Sequence, residues 1–415
     1  MKSLSVVEIA RKLVGFPTVS QQHSTVEISD WIANYLERVG FAVELFPYFS
    51  ESGGKKLKKV NLLAIKGGKQ ELPRLAFAGH MDTVPNGKQF KEPWNLRCDE
   101  GRGLFYGLGI ADMKVFLALA MKVGAELSPG EQKHPFALCF TSDEEVGCLG
   151  TKKLFEQRRW AKISDYVVIG EPTSFTPVYL HKGYIYLWLS VEVVNSKGRD
   201  NPVHSSNPRS TTNVVEQVLP VVVGALRDFR KRLEQIEDAR FEFPHPSMNI
   251  GGELAIGRSR GGKQVPDKVA KNIIPLGFTM SIELRPLPGQ DLLDLQKLIA
   301  EEVKGVVAHI RPQGPNERIE VKVEFVRAPT LPMETNRDSP IVQAVARISG
   351  KSPAAVSFNT EGGLFNRSGS DAVVWGPAAI AQAHTDNEFV PASCLSEAAV
   401  AKYSALVREF CCAKE

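Results

Sequence analysis

Residues 75–82 read LAFAGHMD, and this stretch decides the fold, because an apolar run ends there in a histidine and an aspartate. Two later stretches repeat the design: FALCF at 136–140 precedes TSDEE, and YVVIG at 166–170 precedes Glu171. Continuous apolar runs of this length, separated by helical segments such as 115–127, are typical of strands buried in an α/β sheet. Functional groups gather just beyond the carboxyl ends of such strands. We therefore predict a site where these three runs end.

The length and composition predict a globular protein with two domains, with a single large α/β unit as the alternative. The 415 residues exceed the usual size of a single hydrophobic core. Hydrophobic residues make up 43% of the chain and charged residues 24%, which is ordinary for a folded protein and argues against extensive disorder. A net charge of +4 is too weak to indicate a nucleic-acid or membrane surface. The densest basic stretch, residues 55–59, follows two glycines and is interpreted as a solvated loop.

The cellular setting is expected to be the cytoplasm. The N-terminal residues 1–16 have helical spacing, but Glu8, Arg11 and Lys12 interrupt the apolar core that a signal peptide needs. No stretch is long and apolar enough to span a bilayer. The six cysteines form no CxxC pair and lack the density of a disulfide scaffold. These features favour a reducing compartment and no membrane partner.

The periodicity of the sequence changes near residue 178 and changes back near residue 330. Between these points the pattern predicts the order βαββαβ, which is typical of a ferredoxin-like unit inserted into a larger domain. The predicted elements are a strand at 184–194, a helix at 211–236, strands at 247–256 and 272–285, a helix at 292–309 and a strand at 318–325. We therefore predict a discontinuous α/β domain of residues 1–177 and 330–415, with an inserted domain of residues 178–329.

His80 and Asp82 are separated by one residue, so in an extended segment their side chains point to the same side. His80 can then bind a metal ion while Asp82 accepts its second ring N–H, because a metal-bound imidazole usually donates that proton to a carboxylate. The pattern alone is weak, since a histidine at the end of a strand is more often structural or exposed.

Asp112 lies in GLGIADMK at 107–114, a glycine-rich turn before an apolar helix. A phosphate-binding loop is the obvious competitor, but the GxxxxGK[ST] spacing is absent and an acidic residue occupies the turn. Two interpretations remain equal at this point. Asp112 either points back toward the strand ends as a ligand or caps the helix.

Glu144 and Glu145 are adjacent, so one can bind a metal ion while the other faces a substrate, although an acidic pair in a loop is usually solvated surface. Glu171 follows its own apolar strand, and His384 lies far along the chain, as expected of a ligand from a separate loop. Carboxylates mixed with imidazoles suit zinc, manganese or cobalt, and a bridging carboxylate permits two ions about 3.5–4 Å apart. Because the candidates include no cysteine, a closed structural zinc site is disfavoured.

Together and in order, the motifs resemble those of the di-zinc amidohydrolases and peptidases. This family includes acetylornithine deacetylase, succinyl-diaminopimelate desuccinylase, aminoacylase and the glutamate carboxypeptidases. The motifs span essentially the whole chain and are GHMDTVP (79–85), FYGLGIADMK (105–114), TSDEEVG (141–147), GEPT (170–173), HSSNP (204–208) and GPAAIAQAHTDNE (376–388). The resemblance implies a mixed-sheet, zinc-peptidase-like catalytic domain with an inserted lid and dimerisation domain, and hence a homodimer.

Position by position, the resemblance implies a centre of two divalent metal ions, with zinc as the first choice and cobalt or manganese as alternatives. Asp112 bridges the two ions. His80 and Glu171 complete one site, and Glu145 and His384 complete the other.

The resemblance also implies roles beside the metals. Glu144 matches the catalytic base, and Asp82 matches the acid that supports the ligands. His204 matches a histidine that reaches the partner's active site and stabilises the oxyanion. The segment before it, residues 198–203, is longer than the family's short glycine turn.

The implied reaction is hydrolysis of the amide of an N-acyl amino acid, in which Glu144 takes a proton from the attacking water and passes it to the leaving amine. Arg285 resembles the family's α-carboxylate binder, since a guanidinium fork suits that planar anion. Asn272 is expected to assist from the same domain. Glu361 is assigned by its charge to an ammonium group of the substrate, with a turn residue as an equal alternative. Within the family, the motifs are most similar to those of acetylornithine deacetylase. The resemblance therefore implies N2-acetyl-L-ornithine as the substrate, whose hydrolysis gives L-ornithine and acetate in arginine biosynthesis.

Two other interpretations stay open. Succinyl-diaminopimelate or another N-acyl amino acid is the nearest alternative substrate, because the metal motifs do not separate these molecules. A catalytically inactive binding homologue is the alternative of a different class. The complete set of ligands, together with Glu144, argues against it.

Overall fold

The computed structural model describes residues 4–67, 72–87, 90–195, 203–257, 259–260, 263–264 and 272–412. Contacts divide the chain into two compact units, the first comprising Met1–His181 with Thr330–Glu415 and the second Lys182–Pro329. Among the described residues, no helix combines the length and apolar character that a membrane crossing requires.

The helices and strands of the described residues are numbered in chain order. The helices are α1 (Val6–Val14), α2 (Val26–Arg38), α3 (Val115–Glu126), α4 (Leu149–Gln157), α5 (Leu219–Leu233), α6 (Leu292–Ala308), α7 (Pro340–Ser349), α8 (Gly362–Arg367) and α9 (Glu397–Val407). The strands are β1 (Ala42–Ser52), β2 (Lys55–Lys66), β3 (Leu75–His80), β4 (Arg97–Asp99), β5 (Leu104–Tyr106), β6 (Phe136–Thr141), β7 (Tyr166–Pro172), β8 (Val178–His181), β9 (Ile185–Asn195), β10 (Ser247–Ile256), β11 (Ser259–Arg260), β12 (Lys263–Gln264), β13 (Gly277–Arg285), β14 (Glu317–Phe325), β15 (Met333–Glu334), β16 (Ala354–Val356), β17 (Asp371–Gly376) and β18 (Phe389–Pro391).

A mixed sheet forms the core of the first unit, in the order β1-β2-β6-β3-β7-β17-β8-β15, with β16 paired to β8. The central strands β6, β3, β7 and β17 are parallel, whereas β1, β2 and β15 pair antiparallel with their neighbours. The three apolar runs of the sequence are the adjacent strands β6, β3 and β7. Every residue of β3 and β6 is buried, which explains why these runs do not alternate between apolar and polar residues. The predicted mixed α/β sheet is confirmed.

Helix α3 packs against β3, β6 and β7 of this sheet and is almost wholly buried. All of its residues from Val115 to Gly124 are buried, so this part of the helix has no solvent-exposed face. It approaches β7 so closely that a Cβ added at Gly170 would lie only 1.9 Å from the ring of Phe116. Glycine at position 170 is therefore required for the contact between helix and sheet.

The parallel strands bring three loops to one edge of the sheet. His80 at the end of β3 pairs in register with Thr141 at the end of β6, and β7 and β17 run in the same direction. The segments that follow β6 and β17 therefore start at the edge where β3 ends. These segments carry Glu144, Glu145 and His384.

The second unit contains a four-stranded antiparallel sheet in the order β10-β13-β9-β14, with α5 and α6, and its elements follow the predicted order βαββαβ. Two bounds differ from the predictions by five residues or more, and the others by at most three residues. The third strand begins at Gly277 instead of residue 272, because the preceding backbone pairs with loops: Ile274 donates to Val203, and Val214 donates to Pro275. The helix begins at Leu219, after a helical turn that Asn213 caps.

The first unit extends to His181 instead of residue 177. Strand β8 (Val178–His181) pairs with β15, β16 and β17, all of which belong to the sheet of the first unit. The basic stretch at residues 55–59 also differs from its interpretation as a loop, because it begins strand β2. Lys59 within it is fully buried.

Candidate metal centre

His80 is a buried residue at the end of β3, and its backbone neighbours fix its ring. Nδ1 lies 3.0 Å from the backbone carbonyl oxygen of Asp82. Nε2 therefore faces the other way, 3.0 Å from Oδ1 of Asp112 and 3.7 Å from Oε1 of Glu171. These three residues form one group whose ligand atoms all lie within 4.8 Å of one another.

Asp112 belongs to a second group as well. Its other oxygen, Oδ2, lies 3.1 Å from Nε2 of His384, and that nitrogen is also 3.1 Å from Oε1 of Glu145. The ligand atoms of this group likewise lie within 4.8 Å of one another. Asp112 comes from the turn that precedes α3, and His384 from the loop between β17 and β18. The structure thus brings all five predicted ligands to one place, with Asp112 shared.

The electrostatics of the two groups show an excess of negative charge. Burial raises the pKa of Glu171 well above its usual range, and the charge of Asp112 adds to the shift. Hydrogen bonds to Asp112 and Glu145 raise the pKa of His384 to about 10. Burial alone would lower the pKa of His80, but the hydrogen bond to Asp112 and the charge of Glu171 outweigh burial and raise it.

Three carboxylates and two imidazoles in so small a volume suit cations. Oxygen and nitrogen donors of this kind match zinc, cobalt or manganese. Without metal ions, the negative charge of the carboxylates is balanced only if the two histidines are protonated. Two divalent ions would balance that charge instead. The donor set and its charge therefore fit a pair of divalent ions.

Glu144 lies beside the ligands but outside both groups. Burial raises its pKa to about 8, against the opposing charge of His80. The thiol of Cys148 donates to Oε1 of Glu144 at 3.1 Å. A buried carboxyl with a pKa near neutrality can both accept and return a proton.

Asp82 connects these groups in a way that differs from the expected one. Its carboxylate lies 3.6 Å from Nδ1 of His80, and the backbone carbonyl is the closer acceptor. The carboxylate instead accepts the backbone N–H groups of Glu144 at 3.1 Å and Glu145 at 3.3 Å, and the hydroxyl of Ser20 at 2.5 Å. Strand β3 ends at His80, so the alternation of a strand does not extend to residue 82.

A buried ion pair lies next to the turn that carries Glu144 and Glu145, and the sequence did not indicate it. Nζ of Lys59 is 2.7 Å from Oδ1 of Asp143, and both side chains are 0% exposed. The hydroxyl of Tyr48 lies 3.2 Å from the other oxygen of Asp143. Asp143 has a left-handed backbone with φ of 55° and immediately precedes Glu144. The pair thus supports the start of the turn that carries both glutamates.

Glu361 is buried in the first unit and is only 1% exposed. One oxygen accepts the hydroxyls of Thr141 and Thr151. The other oxygen, Oε1, is buried and has no hydrogen-bond partner among the residues that the structure describes. Burial raises the pKa of this carboxyl.

The other predicted site residues lie in the second unit, and the structure brings two of them together. Nε2 of His204 is 2.7 Å from Nδ2 of Asn272, and its Nδ1 is 2.7 Å from the hydroxyl of Ser206. Residues 198–202, part of the segment expected to be longer than in the family, lie outside the described residues.

Arg285 occupies the end of β13. Its guanidinium pairs with Glu283 at 3.0 Å and stacks on the ring of Tyr184, with 4.4 Å to the ring centroid. Arg327 approaches the same ring at 4.9 Å. These contacts hold the guanidinium in one orientation.

The mixed sheet and the ligand groups at its edge define a metal-dependent hydrolase. Residues 76–409, which are most of the chain, match the family model of peptidase family M20/M25/M40. The chain belongs to that family.

Relatives and solved structures agree with this assignment. Acetylornithine deacetylase of Myxococcus xanthus is 32% identical over 391 residues, which are 92% of this chain and 91% of the relative. The di-peptidase Dug1p of Saccharomyces cerevisiae has a TM-score of 0.70 at 17% identity, covering 98% of this chain and 95% of that one. YXEP of Bacillus subtilis, described as a dinuclear metal binding peptidase, has a TM-score of 0.61 at 14% identity, covering 97% of each chain. The resemblance inferred from the motifs is confirmed, and the protein is a metal-dependent amidohydrolase.

Proposed function

We propose that the protein hydrolyses N2-acetyl-L-ornithine to L-ornithine and acetate with two divalent metal ions, zinc being the first choice. One observation is the main support for the proposed metal centre. The two oxygens of Asp112 each lie next to a different histidine, Oδ1 next to His80 and Oδ2 next to His384. A carboxylate shared in this way suits the bridge of a two-metal site. Glu171 completes the first site and Glu145 the second. Cobalt and manganese are the alternative metals for the same donors.

Bound there, the ions would polarise the substrate carbonyl and lower the pKa of a water molecule. Glu144 is the base in this proposal. Its raised pKa allows it to take a proton from the attacking water and return the proton to the leaving amine near neutral pH. Asp82 orients it by accepting the N–H of residue 144, and the same carboxylate accepts the N–H of Glu145. The base and a metal ligand are therefore aligned by one side chain.

The second unit supplies the proposed contacts with the substrate. Arg285 binds the α-carboxylate of the substrate. Stacking on Tyr184 orients the guanidinium group for this contact. His204 stabilises the oxyanion, and Asn272 holds its imidazole ring. In the first unit, Oε1 of Glu361 is a buried acceptor to which no described residue donates, and we assign it to the ammonium group of the ornithine side chain.

A homodimer formed through the second unit and a cytoplasmic location complete the proposal. The six cysteines are all free, which supports a reducing compartment. Light scattering at assay concentration tests the dimer, and a monomeric mass contradicts it.

A panel of substrates measured with defined metals tests the proposed reaction. Protein loaded with zinc or cobalt is given N2-acetyl-L-ornithine, N-succinyl-diaminopimelate and other N-acetyl amino acids, and release of the acyl group is followed. We expect the highest kcat/KM for N2-acetyl-L-ornithine. Preference for the succinyl compound would support the alternative substrate, and no turnover across the panel would support the inactive homologue.

A Glu144→Gln variant is the control for this experiment. Loss of a general base typically lowers kcat by roughly 10²–10⁴-fold. The variant should bind the same number of metal ions as the wild type, since Glu144 lies outside both ligand groups. Full activity in this variant would refute the assignment of the base.

A further inference from the structure

Glu388 is a buried carboxylate that holds the turn carrying Asp112. The residue is 2% exposed. Its Oε2 accepts the backbone N–H of Gly109 at 2.6 Å, and its Oε1 accepts those of Ala111 at 2.7 Å and Asp112 at 3.0 Å. One side chain thus binds three backbone donors within four residues of the chain.

Strand pairing fixes Glu388 in this position. Strand β18 pairs with β5 so that Phe389 lies opposite Tyr106. The backbone carbonyl of Glu388 also accepts the N–H of Gly107 at 3.2 Å. The main chain and the side chain of Glu388 therefore bind the same turn, and the adjoining strand holds both in register.

The turn needs such an acceptor because its backbone is not helical. Gly109 has a left-handed φ of 74°, and Asp112 has φ −124° and ψ 89°. The N–H groups that converge on Glu388 consequently lack the partners that a regular helix would provide. Buried donors without partners are costly, and a carboxylate that accepts several of them forms strong, charge-assisted hydrogen bonds.

The same loop supplies His384 four residues earlier. The segment between β17 and β18 therefore provides one candidate ligand directly and restrains the backbone of another, Asp112. Since both oxygens of Asp112 are used, one toward His80 and one toward His384, a small rotation of its backbone would misalign both ligand groups.

We propose that Glu388 is a positioning residue that directs the Asp112 carboxylate and thereby sets the affinity of both metal sites. This inference rests on the proposed role of Asp112 as the bridging ligand. A role confined to folding would lower stability without changing metal affinity. The two roles are therefore separable by experiment.

The test compares zinc affinity in the wild type and in Glu388→Gln. The amide is nearly isosteric, but its NH₂ group replaces an acceptor with a donor that faces a backbone N–H. Metal-free full-length protein is titrated with Zn²⁺ in competition with a chromogenic chelator. The visible spectrum of the Co²⁺-loaded protein reports the geometry of the ligands. We expect zinc affinity about 10–100-fold weaker than in the wild type, as is typical when a residue that orients a ligand is lost.

Glu317→Gln is the matched control. Glu317 is a carboxylate of the second unit that accepts the backbone N–H groups of Thr212 at 3.0 Å and Gly314 at 2.9 Å. Its loss should lower stability and leave zinc affinity unchanged. If Glu388→Gln does not fold, Glu388→Asp takes its place, because it keeps the charge but withdraws it by one methylene group.

The outcomes separate the inference from the function on which it rests. Weaker zinc binding and an altered Co²⁺ spectrum in the folded Glu388 variant, with an unchanged Glu317 control, support the inference. Wild-type affinity in the Glu388 variant overturns it, and so does an equal loss of affinity in the control. A wild-type protein that binds no zinc overturns the proposed metal centre itself, and the inference with it.

Discussion

Asp82 links the proposed base to the proposed metal ligands through two different parts of the residue. Its backbone carbonyl lies against the ring of His80, while its carboxylate accepts the N–H groups of Glu144 and Glu145. Ser20, from the segment before α2, binds the same carboxylate. The spacing HxD predicted a contact between His80 and Asp82, and the structure places Asp82 beside the ring of His80. The spacing did not indicate which atoms make the contact, because that depends on where the strand ends.

The buried pair of Lys59 and Asp143, next to the turn that carries Glu144 and Glu145, gives a prediction at the residue scale. Lys59→Met leaves the Asp143 carboxylate buried without its cation, and removing one partner of a buried ion pair typically costs about 3–5 kcal/mol. We expect the free energy of unfolding, measured by urea denaturation, to fall by about this amount. Activity should fall as well, because Asp143 precedes Glu144.

Lys56→Met is the control, because it removes a lysine from the same strand. Lys56 pairs with Glu51 at 3.7 Å, and both side chains are largely exposed. Exposed pairs contribute little to stability. Equally small effects of the two substitutions would show that the pair of Lys59 and Asp143 does not stabilise the turn.

Lys59 also shows why this part of the site was not predicted. Its neighbours Lys55, Lys56 and Lys58 are exposed, so the stretch has the composition of a solvated segment. The partner Asp143 lies on another strand's loop, far away in the sequence. The tertiary structure determines which lysine of a basic stretch is buried, and the local sequence does not predict the burial of Lys59. The ligands at strand ends were predictable because strand direction alone gathers them.

At the scale of elements, the start of α4 supports the turn after β6. Gly150, the second residue of α4, approaches the backbone of Ser142, and a Cβ at position 150 would lie 1.8 Å from the carbonyl oxygen of that serine. The side chain of Asn61 joins the two segments, since it donates to the carbonyl of Gly150 and accepts the N–H of Ser142. The helix therefore braces the turn that carries Glu144.

Gly150→Ala is predicted to displace α4 from this turn. The overlap is with backbone atoms, which cannot rotate away, so we expect lower stability and a lower kcat. Gly305→Ala provides the contrast, because a Cβ at that position in α6 meets no atom within 4 Å. Alanine there should raise the free energy of unfolding by roughly 0.5–1 kcal/mol through helix propensity. Thermal unfolding and steady-state kinetics of both variants measure these effects, and wild-type behaviour of Gly150→Ala would contradict the proposed bracing.

Most elements of the second unit were predictable from periodicity, and the exceptions have local causes. Strand β10 has the predicted bounds, and α6 differs by one residue at its end. Strand β13 begins later than predicted because Pro275 and its neighbours pair with loops instead of a strand. The apolar residues of this segment did not show whether its backbone pairs with a loop or with a neighbouring strand.

At the scale of the whole molecule, all five proposed ligands lie in the first unit. Removal of the metal ions with a chelator should abolish activity, and zinc should restore it. An ion that binds only the folded state stabilises that state by about 2.7 kcal/mol at 100 times its dissociation constant. We expect this stabilisation in the first unit, as slower hydrogen exchange in β3, β6 and β7 and no change in β9 and β13.

Two results would contradict this expectation. Full activity after complete chelation would show that the reaction does not need the ions. Equal protection of both units by zinc would show that the ions are not bound by the first unit alone. Magnesium serves as the control cation, because it prefers an octahedral shell of oxygen ligands.

The shared position of Asp112 also has a consequence for the order in which the centre is made. His80, Asp112 and Glu171 all precede the second unit in the sequence, whereas His384 follows it. A ribosome therefore synthesises every residue of the first ligand group before the second unit emerges. The other group is incomplete until the second unit and the strand β17 have been translated. Maturation is thus expected to proceed in two stages: the residues of the first ligand group are synthesised early, and both sites become complete only after the chain has returned to the first unit and supplied His384 and Glu388.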